Sequence, residues 1–471
     1  MTRTIAVRNP RTGELDYEIK PPDETQLTAL CDRLRLAQDD WHQSGLGLRI
    51  ETLQTWKQIL SDSRSALVSA LIQDTGRQSV SELEFDSLLN MIDRWCRLAP
   101  SLLQPTEQVT AIPFIQLRQA TCPYAVVGII SPWNFPLLLS TLDLIPALLA
   151  GCAAIVKPSE ITPRFIAPLM ATIAQVPSLQ EVLHYVPGDG ATGAAMLQQV
   201  DAICFTGSVA TGRRVAEQAA QRFIPAFLEL GGKDPAIVLA SADLDRASSA
   251  ILWGATVNSG QSCLSIERIY VAETVLEPFV DQLVAKAKTV ALAYPEVDSG
   301  PLGPIIAARQ AEMIQAQLDD ADRQGAIAHC GGHVETLAGG LWCRPTVLTQ
   351  VHHQMAVMTE ETFGPIMPVM AVESPKAAIA LANDSAYGLS AAVFAGSTDE
   401  ALAVGQRLHA GAVSINDAAL TALIYDGEKQ SFKLSGLGGS RMGPSSIQRF
   451  LRKQAFLVNT GSAADPWWFT P

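Results

Sequence analysis

Tyr124-Ala125-Val126-Val127-Gly128-Ile129-Ile130 runs directly into Ser131-Pro132-Trp133-Asn134-Phe135-Pro136. The first seven residues are apolar and rich in β-branched side chains, without polar alternation, and read as a strand covered on both faces. The next six, with two prolines and two aromatics, read as a stiff loop at the end of that strand. Outward from this point the pattern repeats. Ala153 to Val156 predicts a strand, followed by a helix from about Thr162. Val182 to Val186 predicts another, followed by a helix after Gly190. Ala202 to Phe205 predicts a third, with a helix from Ser208. Apolar strands alternating with helices indicate a parallel α/β sheet with helices on both faces. A second alternating region runs from Pro235 to about Asn416, with strand candidates at Ala236 to Leu239, Ile269 to Val271, Val347-Leu348, Met367 to Val372, Ala391 to Ala395 and Ala412 to Ile415. Residues 24–100 carry helical periodicity (Leu27, Leu30, Leu34; Leu53, Trp56, Ile59, Leu60), and Val109 to Leu117 reads as strand.

At 471 residues, 48% hydrophobic and 17% charged, the chain predicts a globular protein of two or three domains. A net charge of −13 disfavours nucleic acid or an anionic membrane surface as the main partner. The eight cysteines are scattered without paired metal-ligand spacing, and no metal is expected. The N-terminus lacks the apolar run of a signal peptide. The longest apolar segment, around Leu137 to Ala154, is broken by Ser140, Thr141, Asp143 and Pro146, so no membrane span is expected. A reducing cytoplasm with free thiols is the natural reading.

Three segments suit a nucleotide cofactor. Gly207-Ser208 follows the strand ending at Phe205, with Gly212 one turn on; a helix N-terminus there presents free N–H groups and a positive dipole end to a pyrophosphate. Lys157-Pro158-Ser159-Glu160 follows the strand ending at Val156, at the sheet edge where ligands bind. Lys157 can donate to ribose hydroxyls and Glu160 accept from them, and a carboxylate there repels a 2′-phosphate, favouring NAD over NADP. Gly188, Gly190 and Gly193 match the dinucleotide fingerprint, but Arg213 and Arg214 stand where its acid is due; the run reads as a loop near the cofactor.

Two segments suit covalent chemistry on a carbonyl. Glu229 ends the apolar stretch Ala226-Phe227-Leu228 and precedes Leu230-Gly231-Gly232-Lys233. Cys263 closes Ser259-Gly260-Gln261-Ser262-Cys263. A thiol nucleophile and a carboxylate base, each beside glycines that admit a ligand to the backbone, are the parts required. Asn134 can aim an N–H at a developing negative oxygen.

With these residues in hand, the chain resembles the aldehyde dehydrogenase superfamily over nearly its whole length. The matching segments keep the family's order: Ser131 to Pro136, Lys157 to Glu160, Phe205 to Ser208, Glu229 to Lys233, Gly260 to Cys263, Glu360-Glu361-Thr362-Phe363-Gly364-Pro365 and Lys433-Leu434-Ser435-Gly436. The resemblance implies three parts. These are a Rossmann-like dinucleotide-binding domain (1–108 and 124–231), an α/β catalytic domain (232–445) and a small β-hairpin oligomerisation element (109–123 and 446–471). In the last, Val109 to Leu117 and Thr121 to Pro123 would pair with the final strand, near Phe456 to Val458, of a partner chain in a homodimer or homotetramer. It implies NAD(P)-dependent oxidation of an aldehyde to the acid through a cysteine hemithioacetal and thioester. Cys263 would be nucleophile, Glu229 the base for hydrolysis, and Asn134 with the Cys263 N–H the oxyanion donors. Trp133, Lys157, Glu160, Gly207, Ser208, Gly231, Glu361 and Phe363 would hold the cofactor. Acyl transfer to coenzyme A, a semialdehyde substrate and a non-catalytic scaffold relative are the alternatives; retention of Cys263, Glu229 and Asn134 together argues against the last.

The chain also departs from the family. Asp143 is acidic where many relatives are basic. Gln430-Ser431-Phe432 replaces a Pro-Phe-Gly-Gly run, and Ser440-Arg441-Met442 stands where a glutamate is common. Substrate-pocket positions carried over from the family are Leu138, Leu142 and Leu264, with Ser262 and Asp417 as polar exceptions. No arginine stands among them to pair a second carboxylate, so a medium or large apolar or aromatic aldehyde is expected. His329-Cys330-Gly331-Gly332-His333 reads as a turn before the strand near Val347. Trp467-Trp468-Phe469 reads as an oligomer contact.

Overall fold

The computed structural model describes residues 3–462; the Trp467-Trp468-Phe469 segment lies outside them. Four helices, Glu24–Gln43, Gly45–Asp62, Arg64–Thr75 and Ser79–Leu102, occupy the region of 3.6-residue periodicity. Their apolar stripes (Leu27, Leu30, Leu34; Leu53, Trp56, Leu60) pack into one core with the first sheet.

That sheet has six strands in the order Gly436–Leu437, Ala226–Glu229, Ala202–Thr206, Val126–Ile130, Ala153–Lys157, Leu183–Tyr185. All pair in parallel except Gly436–Leu437, which returns from far down the chain antiparallel to Ala226–Glu229. The chain starts at Val126–Ile130 and builds outward first to one side and then to the other. The order reverses between Val126–Ile130 and Ala202–Thr206, and beyond the carboxyl ends of such a strand pair lies the crevice in which parallel sheets bind ligands. The loop 131–135 and the turn Gly207-Ser208 follow these two strands and flank that place.

The second sheet has seven strands in the order Ile327–Cys330, Thr346–Thr349, Ile366–Val372, Ile266–Ala272, Asp234–Val238, Ser390–Phe394, Ala412–Ile415. Every strand expected in this half is present. Within the segment His329 to His333, the expected turn falls at Gly331 and Gly332, both at positive φ, while His329 and Cys330 end the antiparallel edge strand Ile327–Cys330. His329 bonds Thr349 Oγ1 at 2.8 Å. The two faces of this sheet feed separate cores: Ile237 and Val393 on one, Ala236, Val238, Ala392 and Phe394 on the other. Burial of both faces is why these strands carry no polar alternation.

The third sheet is antiparallel: Leu451–Asn459, Ile115–Pro123, Thr106–Val109. It corrects two expectations. The span Val109 to Leu117 is not one strand, because Thr110 Oγ1 bonds the main chain of Ile112 and Pro113 has no N–H to give a ladder, so the chain turns there. The final strand pairs with its own chain's hairpin, in nine-residue register from Leu451↔Pro123 to Asn459↔Ile115, rather than with a partner's. No helix among the described residues is long and apolar enough to cross a membrane.

Candidate active site

Cys263 sits at the end of a loop that its own polar side chains strap down. Asn258 and Ser259 both have φ of 55°, and Gly260 follows at 71°. Two successive non-glycine residues in the left-handed region need outside support. Asn258 Nδ2 donates to the carbonyls of Asn134 (2.9 Å) and Gln261 (2.8 Å). Ser259 Oγ donates to Gly303 O at 2.8 Å, and Gln261 Nε2 to Pro304 O at 3.2 Å. A side chain at Gly260 would strike the Gly364 carbonyl carbon at 2.2 Å, so glycine is required for this close approach. The loop leaves Cys263 partly accessible, and its N–H has no acceptor among the described residues. Burial pushes the Cys263 thiol up to about 12, while the Lys429 cation pulls the other way.

Glu229 is the last residue of its strand. Its main chain is fixed on both sides, by pairing with Gly436 and by the Gly207 N–H, which donates to Glu229 O at 3.1 Å. Its carboxylate accepts from Ser431 Oγ at 2.9 Å and lies 3.9 Å from Lys429 Nζ. Asn134 is buried, and its Nδ2 donates to Gln261 O at 2.9 Å, which leaves a second N–H of the amide.

Cys263 and Glu229 open on the same cavity, of about 390 Å³. Its walls are mainly apolar: Met91, Trp95, Phe135, Leu139, Trp253 and Met442 join Leu138, Leu142 and Leu264, with Ser262 beside the thiol. Asp417 is not in the lining. It faces Arg246 at 3.7 Å, and the turn after it supplies Ala419, Thr421 and Leu423 in its place. No arginine stands at the positions carried over from the family, but Arg94, Lys429 and Arg441 reach the cavity from elsewhere in the chain. Two of them are engaged. Arg94 donates to Tyr425 O at 2.8 Å, and Arg441 lies 2.8 Å from Asp143.

That last pair joins two departures seen in the sequence, the acid at 143 and the base at 441. Arg449 donates to the same Asp143 at 2.7 Å. Burial alone would raise the Asp143 carboxyl, but Arg441 and Arg449 together hold it below the ordinary range.

The crevice residues fit a dinucleotide. Ser208 caps the helix Val209–Gln221, accepting from the Thr211 N–H, so the first turn faces the crevice. A Cβ on Gly207 would meet the Phe205 ring at 2.7 Å, and one on Gly231 the Glu361 carboxylate at 2.5 Å, so both positions are cut for backbone approach. Lys157 is buried, donating to Gly188 O at 2.8 Å with Glu160 at 3.7 Å. Gly188 thus lies beside Lys157, while Gly190 and Gly193, expected in a loop, belong to the helix Gly190–Leu197. Glu361 accepts from the Gly232 N–H at 3.0 Å, and burial pushes its carboxyl up to about 8. The Trp133 and Phe363 rings meet edge to face at 5.4 Å. Phe363 has φ of 53° and is held by Glu267, which accepts its N–H at 2.7 Å.

A parallel sheet with such a switch point is the frame of a nucleotide-dependent oxidoreductase. The chain belongs to the aldehyde dehydrogenase family, whose model matches residues 1–456. The solved structure of a protein from Anabaena variabilis, PutA, provisionally named an aldehyde dehydrogenase, is 62% identical with a TM-score of 0.98, covering 99% of this chain and 100% of that one. Betaine aldehyde dehydrogenase from Staphylococcus aureus, solved with NAD+, is 29% identical with a TM-score of 0.92, covering 100% and 94%. The 4,4'-diapolycopene aldehyde oxidase of a Methylomonas species is 37% identical over 91% of this chain and 82% of its own length. A Mycolicibacterium smegmatis protein provisionally named a succinate-semialdehyde dehydrogenase [NADP(+)] is 34% identical over 93% and 86%.

Sequence reasoning missed Arg77, Glu84, Asn258, Lys429 and Arg441 as parts of the site. Of these only Arg441 left a trace, in the departure Ser440-Arg441-Met442 from a family motif.

Proposed function

We propose that this chain oxidises a medium or large apolar or aromatic aldehyde to its carboxylic acid, with NAD favoured over NADP by Glu160. The supporting observation is that Cys263 and Glu229 open on one apolar cavity. Cys263, its thiol proton released to solvent, attacks as thiolate: Sγ bonds to the carbonyl carbon and the electron pair of the C=O π bond moves to oxygen. The oxygen that turns anionic is met by the Cys263 N–H and the second N–H of Asn134. The chemistry supplied by bound NAD(P) is acceptance of a hydride, which leaves the carbon as a thioester on Cys263. Glu229 takes a proton from water, the water oxygen adds to the thioester carbon, the C–S bond breaks and the acid departs. The apolar walls exclude competing water from the first half of this sequence. The diapolycopene-aldehyde relative is in keeping with a long apolar substrate.

A semialdehyde carrying a carboxylate is the second reading, favoured by the cations of the wall and by the relative provisionally named for that substrate. The test is kcat/KM for decanal, cinnamaldehyde and succinic semialdehyde with NAD and with NADP, followed by NADH absorbance. The apolar aldehydes should lead by tenfold or more. Activity confined to succinic semialdehyde would reverse the order of the two readings. Glu229→Gln should give one burst of NADH and then stall.

A further inference from the structure

Where many relatives carry a Pro-Phe-Gly-Gly run, this chain has Gln430-Ser431-Phe432, preceded by Lys429, and the structure shows where the Ser431 and Lys429 side chains go. Ser431 Oγ donates to Glu229 Oε2 at 2.9 Å, and Lys429 Nζ makes its nearest approach, 3.9 Å, to the same oxygen. Oε1 receives no hydrogen bond among the described residues. Lys429 is buried and has no other acceptor among them. Arg441, bound by Asp143, and the Cys263 thiol also interact electrostatically with Glu229. The Glu229 main chain is already pinned, so only its side-chain torsions remain free, and Ser431 removes that freedom. A general base works only when one lone pair is aimed at the water it deprotonates.

We propose that Ser431 and Lys429 are positioning residues for hydrolysis of the acyl-enzyme: they hold Oε2 of Glu229 and so present Oε1 to the attacking water. The proposal rests on the reading of Glu229 as the hydrolytic base. Lys429 also acts on the Cys263 sulfur, so Ser431 is the cleaner probe.

The test needs no cofactor. p-Nitrophenyl acetate acylates Cys263: the thiol gives its proton to solvent, the acetyl carbon bonds to Sγ, and p-nitrophenolate leaves with the electron pair of its C–O bond. Water then adds to the thioester carbon, one of its protons passes to Oε1, and the C–S bond breaks with its electron pair going to sulfur. That proton moves from Oε1 to the sulfur to restore the thiol, and acetate leaves as the second proton goes to solvent. Phenolate release reads acylation, and intact mass of quenched samples reads the decay of acetyl-Cys263. Ser431→Ala should lengthen the acyl lifetime about tenfold with acylation unchanged, and Ser431→Thr should restore it. Lys429→Met should also lengthen it, and Lys429→Arg should restore it. The Ser431→Ala/Lys429→Met double variant should lose less than the product of the two, because both act on one oxygen. A wild-type acyl lifetime in Ser431→Ala overturns the proposal, as does an equal loss of acylation that Thr does not rescue. Glu229→Gln separates the two levels. If its acyl-enzyme decays at the wild-type rate, the base assignment fails; if it persists while Ser431→Ala decays normally, only the positioning fails.

Discussion

Arg77 and Glu84 form an ion pair of 2.9 Å in which neither side chain is more than 2% exposed. The pair is also the anchor of the loop that carries Asn134. Arg77 Nη2 donates to Asn134 O at 2.7 Å, and Glu84 Oε2 accepts the N–H groups of Leu137 and Leu138 at 3.1 and 3.2 Å. One buried charge therefore holds the loop's carbonyl, and its partner caps the helix that follows.

Glu84→Gln keeps the shape but leaves the Arg77 charge buried without its counter-ion. Removing one member of a buried pair costs about 3–5 kcal/mol. Thermal unfolding should show a large drop in Tm, and the surviving folded fraction should acylate more slowly, because the Asn134 carbonyl loses part of its support. A Tm within a degree of wild type would remove the pair from this role.

Gly231→Ala places a methyl 2.5 Å from the Glu361 carboxylate. That carboxylate is the end of a flexible side chain, so the fold should survive and Glu361 should swing away. Titration of NADH by fluorescence should give a dissociation constant raised about tenfold, a loss of about 1.4 kcal/mol, with Tm nearly unchanged. A large fall in Tm with normal NADH binding would contradict this.

Burial raises the Cys263 thiol to about 12. A raised thiol value means less thiolate at any pH below it. Alkylation of Cys263 by iodoacetamide in the cofactor-free protein, followed by mass spectrometry of its peptide, should be at least about tenfold slower than that of glutathione at pH 8, since only the thiolate reacts. The rate should still be climbing at pH 10. Lys429→Met should slow it further, because the cation that favours the thiolate is gone. A rate that levels off below pH 9 would show a thiol activated before cofactor binds.

Leu142→Trp should narrow the cavity from a wall it shares with Leu138 and Leu139. The value of kcat/KM for decanal should fall about tenfold or more, roughly the effect of 1.4 kcal/mol or above, while that for acetaldehyde changes less than threefold. Equal losses for both would place Leu142 outside the path of the long substrate.

The sequence by itself determined the buried strands of the two large sheets, their alternation with helices and the local setting of Cys263 and Glu229. Strands such as Val126–Ile130 and Ala236–Val238 announce themselves because both of their faces are covered, which forces a continuous apolar run. Cys263 and Glu229 were legible because each lies in a glycine-bearing turn at an element's end, a local property. What only the tertiary structure decided are contacts between residues far apart in the chain. Ser431 meets Glu229 across 202 positions, and Arg441 meets Asp143. It also decided the pairing of the final strand with its own hairpin, the replacement of Asp417 by the turn behind it, and the burial of Arg77 against Glu84. A charged residue reads as surface until the fold closes over it, because burying a charge is tolerated only when a partner arrives from elsewhere.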